Sequence, residues 1–142
     1  MIETVTFEDV FPIWKMHLWP HRESAIESNS AMTWLGGIDM SLMLASATFW
    51  KFQNAVLSGH YGGMINGERA FRTRGLWVPP ESRGQGVATS LMQTAFETAR
   101  RENCVVVWTY PRKSSIGFYE SNGFKRVGPW VDDQNCYAIA HL

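Results

Sequence analysis

The sequence predicts a mixed α/β fold, with a mostly antiparallel central sheet of six to seven strands and helices on both faces. Three observations carry this expectation. The runs "ATFWKFQ", "AVLSGHYGGMI" and "AFRTRGLWV" follow one another with the turn signals Gln53-Asn54 and Asn66-Gly67 between them, the pattern of an antiparallel meander. A long amphipathic stretch then leads into "CVVVWTY", an apolar run of the kind buried on both faces of a sheet, so strand, helix and strand form a parallel crossover. The chain has 142 residues, 45% of them apolar and seven of them tryptophan, which suits a single domain over 1–142 with a sizeable core.

Taken in order, "IETVTF" alternates as a first strand from Ile2 to Phe7. Phe7, Val10, Phe11, Trp14 and Leu18 then recur at helical spacing, in a helix that tolerates Pro12 only in its first turn and stops at Pro20. Further helices are expected over Arg22–Ser28 and Ile38–Ala45, with Gly36-Gly37 between them. After the meander and Pro79-Pro80, a helix from Gly84 to Glu102 carries an apolar stripe of Val87, Ala88, Leu91, Met92, Ala95, Phe96 and Ala99. A short helix over Ser115–Asn122 ends at Gly123, a left-handed cap, and strands over Lys125–Val127 and Asn135–His141 finish the chain.

Formal net charge is zero, which argues against a general nucleic-acid or membrane-surface binder. No apolar run reaches spanning length, and the acidic start "MIETVTFEDV" is unlike a signal peptide, so a cytoplasmic location without membrane association is expected. Cys104 and Cys136 sit in apolar runs outside any metal-ligand spacing; they read as buried free thiols, and no metal is expected.

The segment "VPPESRGQGVATSLM" carries the chemistry. Free backbone N–H groups at a helix start attract an anion, and Gly84 and Gly86 let the backbone approach a bulky diphosphate. No acid occupies the first turn, where it would repel such a ligand. A phosphate loop of the Walker type lacks both its spacing and its lysine here. A dinucleotide fold would need a glycine where Thr89 stands and an acid after Thr109-Tyr110. An ordinary tight turn before a helix also fits the glycine spacing.

Together with its surroundings, "LWVPPESRGQGVATSLM" resembles the acetyl-CoA-binding signature of the GCN5-related N-acetyltransferase (GNAT) superfamily, with Arg83, Gly86 and Ala88 at the defining positions. Downstream, "IGFYESNGFKRVG" resembles that superfamily's second motif, an aromatic pair on a short helix before Gly-Phe and a strand. The resemblance covers Ala47 to Leu142, and the N-terminal third by element order alone. It implies an N-acetyltransferase that passes the acetyl group of acetyl-CoA directly to a primary amine on a small molecule or a protein. Leu76, Trp77 and Val78 would carry the pantetheine arm, and the Val78 N–H would polarise the thioester carbonyl. The amides from Arg83 through Gly84, Gln85, Gly86 and Val87 to Ala88 would hold the pyrophosphate, with a hydroxyl from Thr89. Tyr119, which spacing alone reads as a core partner of Phe118, would protonate the departing thiolate.

The chain also departs from the superfamily's pattern. The strand glutamate that often serves as base is absent from "AFRTRGLWV" and "CVVVWTY", and His60 is the replacement expected here, with Glu68 and the C-terminal groups behind it. Arg112 stands where an asparagine often contacts the cofactor; Ser114 or Ser115 would substitute, or Arg112 and Lys113 would meet phosphate charge. The missing glutamate motivates a rival reading, a non-catalytic CoA-binding or protein-interaction module of the same fold. The acceptor pocket would form from "WKMHLWPHRESAIESNSAMTWLGG", where Trp14 reads as core, and Arg72 and Arg74, on one strand face, are expected to meet solvent. A homodimer is compatible with such a fold.

Overall fold

The computed structural model describes residues 1–30, 32–36 and 46–142. Its strands β1 (Glu3–Val5), β2 (Thr48–Phe52), β3 (Ala55–Ile65), β4 (Glu68–Trp77), β5 (Val106–Thr109), β6 (Lys125–Val131) and β7 (Asn135–His141) form one seven-stranded sheet in the order β1-β2-β3-β4-β5-β7-β6. The meander of β2, β3 and β4 is antiparallel, as its turn signals predict, with Asn66 and Gly67 both at positive φ in the hairpin turn. The β4–β5 pair is parallel, and α2 (Val87–Arg101) makes the crossover between the two strands.

Helices lie on both faces. The α2 stripe buries Leu91, Met92, Ala95 and Ala99 against Leu57, Phe71 and Val107, and α3 (Ile116–Ser121) adds Tyr119 to the same core. Each large apolar side chain fully removed from water there contributes about 1.5–3 kcal/mol. On the other face, Val10 of α1 (Phe7–Ile13) and Trp14 just beyond it pack against Phe49, Val56 and Ile26. The α1 start is fixed by Asp9, whose carboxylate accepts from the Thr6 N–H at 3.0 Å and the Thr6 hydroxyl at 2.9 Å. The turn after α3 closes as expected, with Gly123 left-handed and the Phe124 N–H donating to the Tyr119 carbonyl.

Two local expectations need correction. Pro12 lies in the second turn of α1, not its first; it leaves the carbonyl of Glu8, an exposed residue one turn back, without a backbone donor. Beyond it the helix widens into a π turn over Trp14–Leu18, with the Trp19 N–H on the Trp14 carbonyl at 2.9 Å. The helix expected over Arg22–Ser28 does not form. Ile26 is the one buried residue of that stretch, so there is no apolar stripe to hold a helix on the sheet. The helix expected over Ile38–Ala45 lies outside the described residues.

The sheet forks between β4 and β5. Register pairing joins Ala70, Phe71 and Arg72 to Val106, Val107 and Trp108 and then stops. Just past the last pair β4 bulges at Gly75, where the register against β3 shifts and φ is 73°. Glycine is required there twice over. A Cβ would lie 2.3 Å from the Trp14 ring, and the Trp14 indole N–H donates to the Gly75 carbonyl at 2.8 Å. At the base of the fork, the Trp108 indole N–H crosses to the Gly62 carbonyl of β3 at 2.9 Å.

Candidate active site

The fork opens a cleft with two halves, both lined by Leu18, Leu76, Arg112, Ser115 and Tyr119. One half, a cavity of about 780 Å³, runs from the free end of β4 to the start of α2. Leu76, Trp77 and Val78 form its strand wall, and the His17 ring stacks on Trp77 at 3.9 Å. Arg83, Gly84, Gly86, Val87, Ala88 and Thr89 form its far end. Gly84 and Gly86 have φ of 77° and 79°, and a Cβ on either would meet nothing within 4 Å. The first turn of α2 holds no acid and no side-chain cap, so its N–H groups stay available to an anion. Arg83 folds back, donating from Nε to the Val78 carbonyl at 2.9 Å, and so ties the glycine turn to the strand end.

Gln85 alone of this turn does not line the cleft; its amide donates to the Glu81 carbonyl at 3.2 Å, on the side of Met1 and Ile2. Ser115 reaches both halves, as Ser114 reaches one, while Lys113 is held by Asp133 at 2.6 Å. Arg112 spans the cleft, donating from Nη2 to the Leu18 carbonyl at 2.7 Å, so the end of the π turn after α1 and the β5–α3 connection are tied across the junction of the two halves.

Tyr119 stands at that junction. It is 8% exposed, packed edge-on against Phe118 and Phe124 as the core reading expects, yet it lines both halves. Burial pushes its phenol up to about 12, against weaker opposing effects from the Thr109 hydroxyl and the Arg72 charge. The group therefore holds its proton throughout the neutral range.

His60 is placed elsewhere. It is 1% exposed and lines neither half. Its Nδ1 lies 2.7 Å from the Tyr61 carbonyl and so carries the proton, which leaves Nε2 to accept the Ser30 N–H at 3.4 Å. Burial is the main cause that lowers its pKa to about 4; the charges of Arg72 and Arg74 act the same way and the Tyr61 bond opposes them. The ring is neutral, and it holds the Ser30 segment against β3.

The second half of the cleft, about 630 Å³, is lined on one side by Leu18, Trp19, Arg22, Glu27, Ser30 and Met32. It corrects the expectation for Arg72 and Arg74, which are 6% and 8% exposed and not solvated. The face they share is covered by Trp19, Glu27, Asn29, Ser30 and Met32, whose packing has no periodic signature. Arg72 donates to the Thr73 carbonyl and the Ser30 hydroxyl and lies over the Trp108 ring; Arg74 donates to the Glu27 carbonyl at 2.7 Å. Thr109, the polar end of "CVVVWTY", lines this half as well, its hydroxyl donating to the Thr73 carbonyl.

Cys104 and Cys136 are buried free thiols, as expected, and line neither half; burial pushes both toward the protonated form. Among the described residues no group of three or more His, Cys, Asp or Glu lies together as a metal site, and no helix is long and apolar enough to cross a membrane.

Comparison with known proteins places this geometry. A structure of a putative N-acetyltransferase from Lactobacillus plantarum superposes with a TM-score of 0.66 at 13% identity, over 99% of this chain and 98% of that one. A chain of the NatC complex bound to Gag peptide and CoA superposes with a TM-score of 0.65 at 14% identity, over 100% and 98%. The probable N-acetyltransferase family 8 member 5 of Mus musculus is 29% identical over 107 residues, which are 69% of this chain and 47% of that protein. The chain thus spans about half the length of this curated relative. Residues 45–126 match the family model of the acetyltransferase (GNAT) domain, and with the forked sheet and open glycine turn on those residues, the chain belongs to the GNAT acetyltransferase family.

Proposed function

We propose that the protein, read as one domain over 1–142, is an N-acetyltransferase that passes the acetyl group of acetyl-CoA directly to a primary amine. One observation carries the reading: an open helix start, an unpaired strand edge and a buried, protonated phenol meet in a single cleft. The residues fit the cosubstrate. The positive-φ glycines leave room at α2 for a pyrophosphate, and the β4 edge freed by the fork offers backbone groups to an amide-bearing arm, as an added strand would use them.

In this reading the Val78 N–H donates to the thioester carbonyl oxygen as negative charge grows there. The amine nitrogen, entering from the half that holds Thr109 and Glu27, forms the new C–N bond while the C–S bond breaks. Tyr119 gives its proton to the leaving sulfur and regains one from solvent. The amine's own proton leaves through the acceptor half, where Glu27 is the lining carboxylate among the described residues. His60 shapes the wall behind Ser30. No cysteine takes the acetyl group, in keeping with thiols buried outside the cleft.

Thermal unfolding tests the cosubstrate. Ligand at about 100 times Kd adds about 2.7 kcal/mol to a protein that binds it only when native. That raises the Tm of a domain this size by about 5–10 °C. Acetyl-CoA should produce this shift, and Gly86→Val should abolish it; no shift in the wild-type protein would refute the proposal. Stabilisation without CoA release from any amine would leave a binding module in place of an enzyme.

A further inference from the structure

We infer that the acceptor half selects a small amine that carries its own carboxylate, with Arg72 and Arg74 as the groups that bind that carboxylate. The inference rests on the acetyl-transfer reading and names the acceptor class for it.

Four arginines, Arg22, Arg72, Arg74 and Arg112, line this half against one carboxylate, Glu27. Among the described residues, neither Arg72 nor Arg74 has a carboxylate within ion-pairing distance; the ion pair present is Lys113 with Asp133, outside the cleft. Two guanidinium groups that are more than nine-tenths buried, with no carboxylate in ion-pairing contact among the described residues and Glu27 acting on Arg74 only from a distance, are costly, because transfer from water is repaid only by an opposite charge or full hydrogen bonding. Among the described residues the hydrogen bonding is incomplete: of the five N–H donors of a guanidinium, Arg72 spends two, on Thr73 and Ser30, and Arg74 one, on Glu27.

Both groups also lie close to tryptophan rings. Arg72 lies 4.4 Å from the Trp108 ring centre, and Arg74 lies 5.0 Å from that of Trp14 and 5.1 Å from that of Trp19. The N–H donors not spent on the bonds above remain for a ligand, and their planar fork matches a carboxylate. Tyr119 lines the same cavity and feels the Arg72 charge, so an anion bound there leaves the amine of the same small molecule near the reacting centre. A polyamine would bring further positive charge to this wall and is excluded by the same count.

The experiment compares CoA release from acetyl-CoA with the standard L-amino acids, their carboxamides, the amines left on removing the carboxylate, and phosphoethanolamine. It uses the full chain, in the wild-type form and as Arg74→Gln and Arg74→Lys, each first shown to keep the wild-type circular dichroism and the acetyl-CoA Tm shift. The best amino acid should exceed its carboxamide by about 30-fold or more in kcat/KM. In Arg74→Gln that preference should collapse, mainly through KM, and Arg74→Lys should restore part of it. Equal turnover of acids and carboxamides would overturn the inference while leaving acetyl transfer standing, as would an unaltered preference in Arg74→Gln. Preference for phosphoethanolamine would replace the carboxylate by a phosphate and overturn it too. If no amine releases CoA, calorimetry of the amino acids against the acetyl-CoA-loaded protein decides: binding lost in Arg74→Gln upholds the carboxylate site and refutes catalysis, and absence of binding refutes the site.

Discussion

Replacing Gly75 by alanine tests the fork at its narrowest point. Two costs fall on the new methyl group. A left-handed backbone costs an L-residue about 1–2 kcal/mol, and φ here is 73°. The methyl would also lie 2.3 Å from the Trp14 ring, so the buried indole must move, losing its bond to the Gly75 carbonyl and its place beside Phe49. The lost bond costs about 1 kcal/mol and the forced repacking about 1–3 kcal/mol. The expected destabilisation is therefore about 3–6 kcal/mol. Gly67→Ala is the control, since φ is 79° there and a Cβ meets nothing within 4 Å; it should cost about 1–2 kcal/mol. Urea unfolding of both variants at neutral pH, analysed with a common slope, gives the comparison. If the two differ by less than about 1 kcal/mol, Trp14 does not press on Gly75 and the account of the bulge is wrong.

Two further predictions concern titrating groups. Tyr119→Phe keeps the ring packing but removes the proton, so turnover should fall by about 10²–10⁴-fold while the acetyl-CoA Tm shift is retained; unchanged turnover removes Tyr119 from the mechanism. His60 has its pKa lowered from 6.5 to about 4 by folding, so the unfolded chain binds the extra proton between these values. Stability is then full above pH 6.5 and lost as pH falls through 4, by up to about 3 kcal/mol. Denaturation midpoints from pH 4 to 7 should show this slope in the wild-type protein and lose most of it in His60→Gln; parallel profiles would count against it.

The parts of this molecule that can be read from its sequence are those whose cause is local. The meander follows from alternation and from Asn66-Gly67, which take up the left-handed angles of a tight hairpin turn. The crossover follows from the α2 stripe and the unbroken apolar run of β5, and the open helix start from two glycines and a missing acid. What escapes has a distant cause. Nothing near Arg72 or Arg74 says which face of β4 is covered, because the cover comes from residues 18–30 and Met32, which are held by tertiary contacts such as the Glu27 carbonyl on Arg74. His60 misleads for the same reason: a histidine on a strand before the motif suits a base, and only the fold shows Ser30 and Tyr61 taking both nitrogens.

The three-residue pairing of β4 with β5 gives the sheet a mechanical character. Two stiff plates, β1 to β4 and β5 with β7 and β6, meet along a seam three residues long and stand apart beyond it. Trp108 works as a rivet through that seam, reaching past β4 to the Gly62 carbonyl, where a Cβ on Gly62 would strike the indole nitrogen at 2.6 Å. Leu76 and Ser115 line both halves of the cleft beyond the seam, so a tilt set at Trp108 would change the gap between them without any change in the residues that line it.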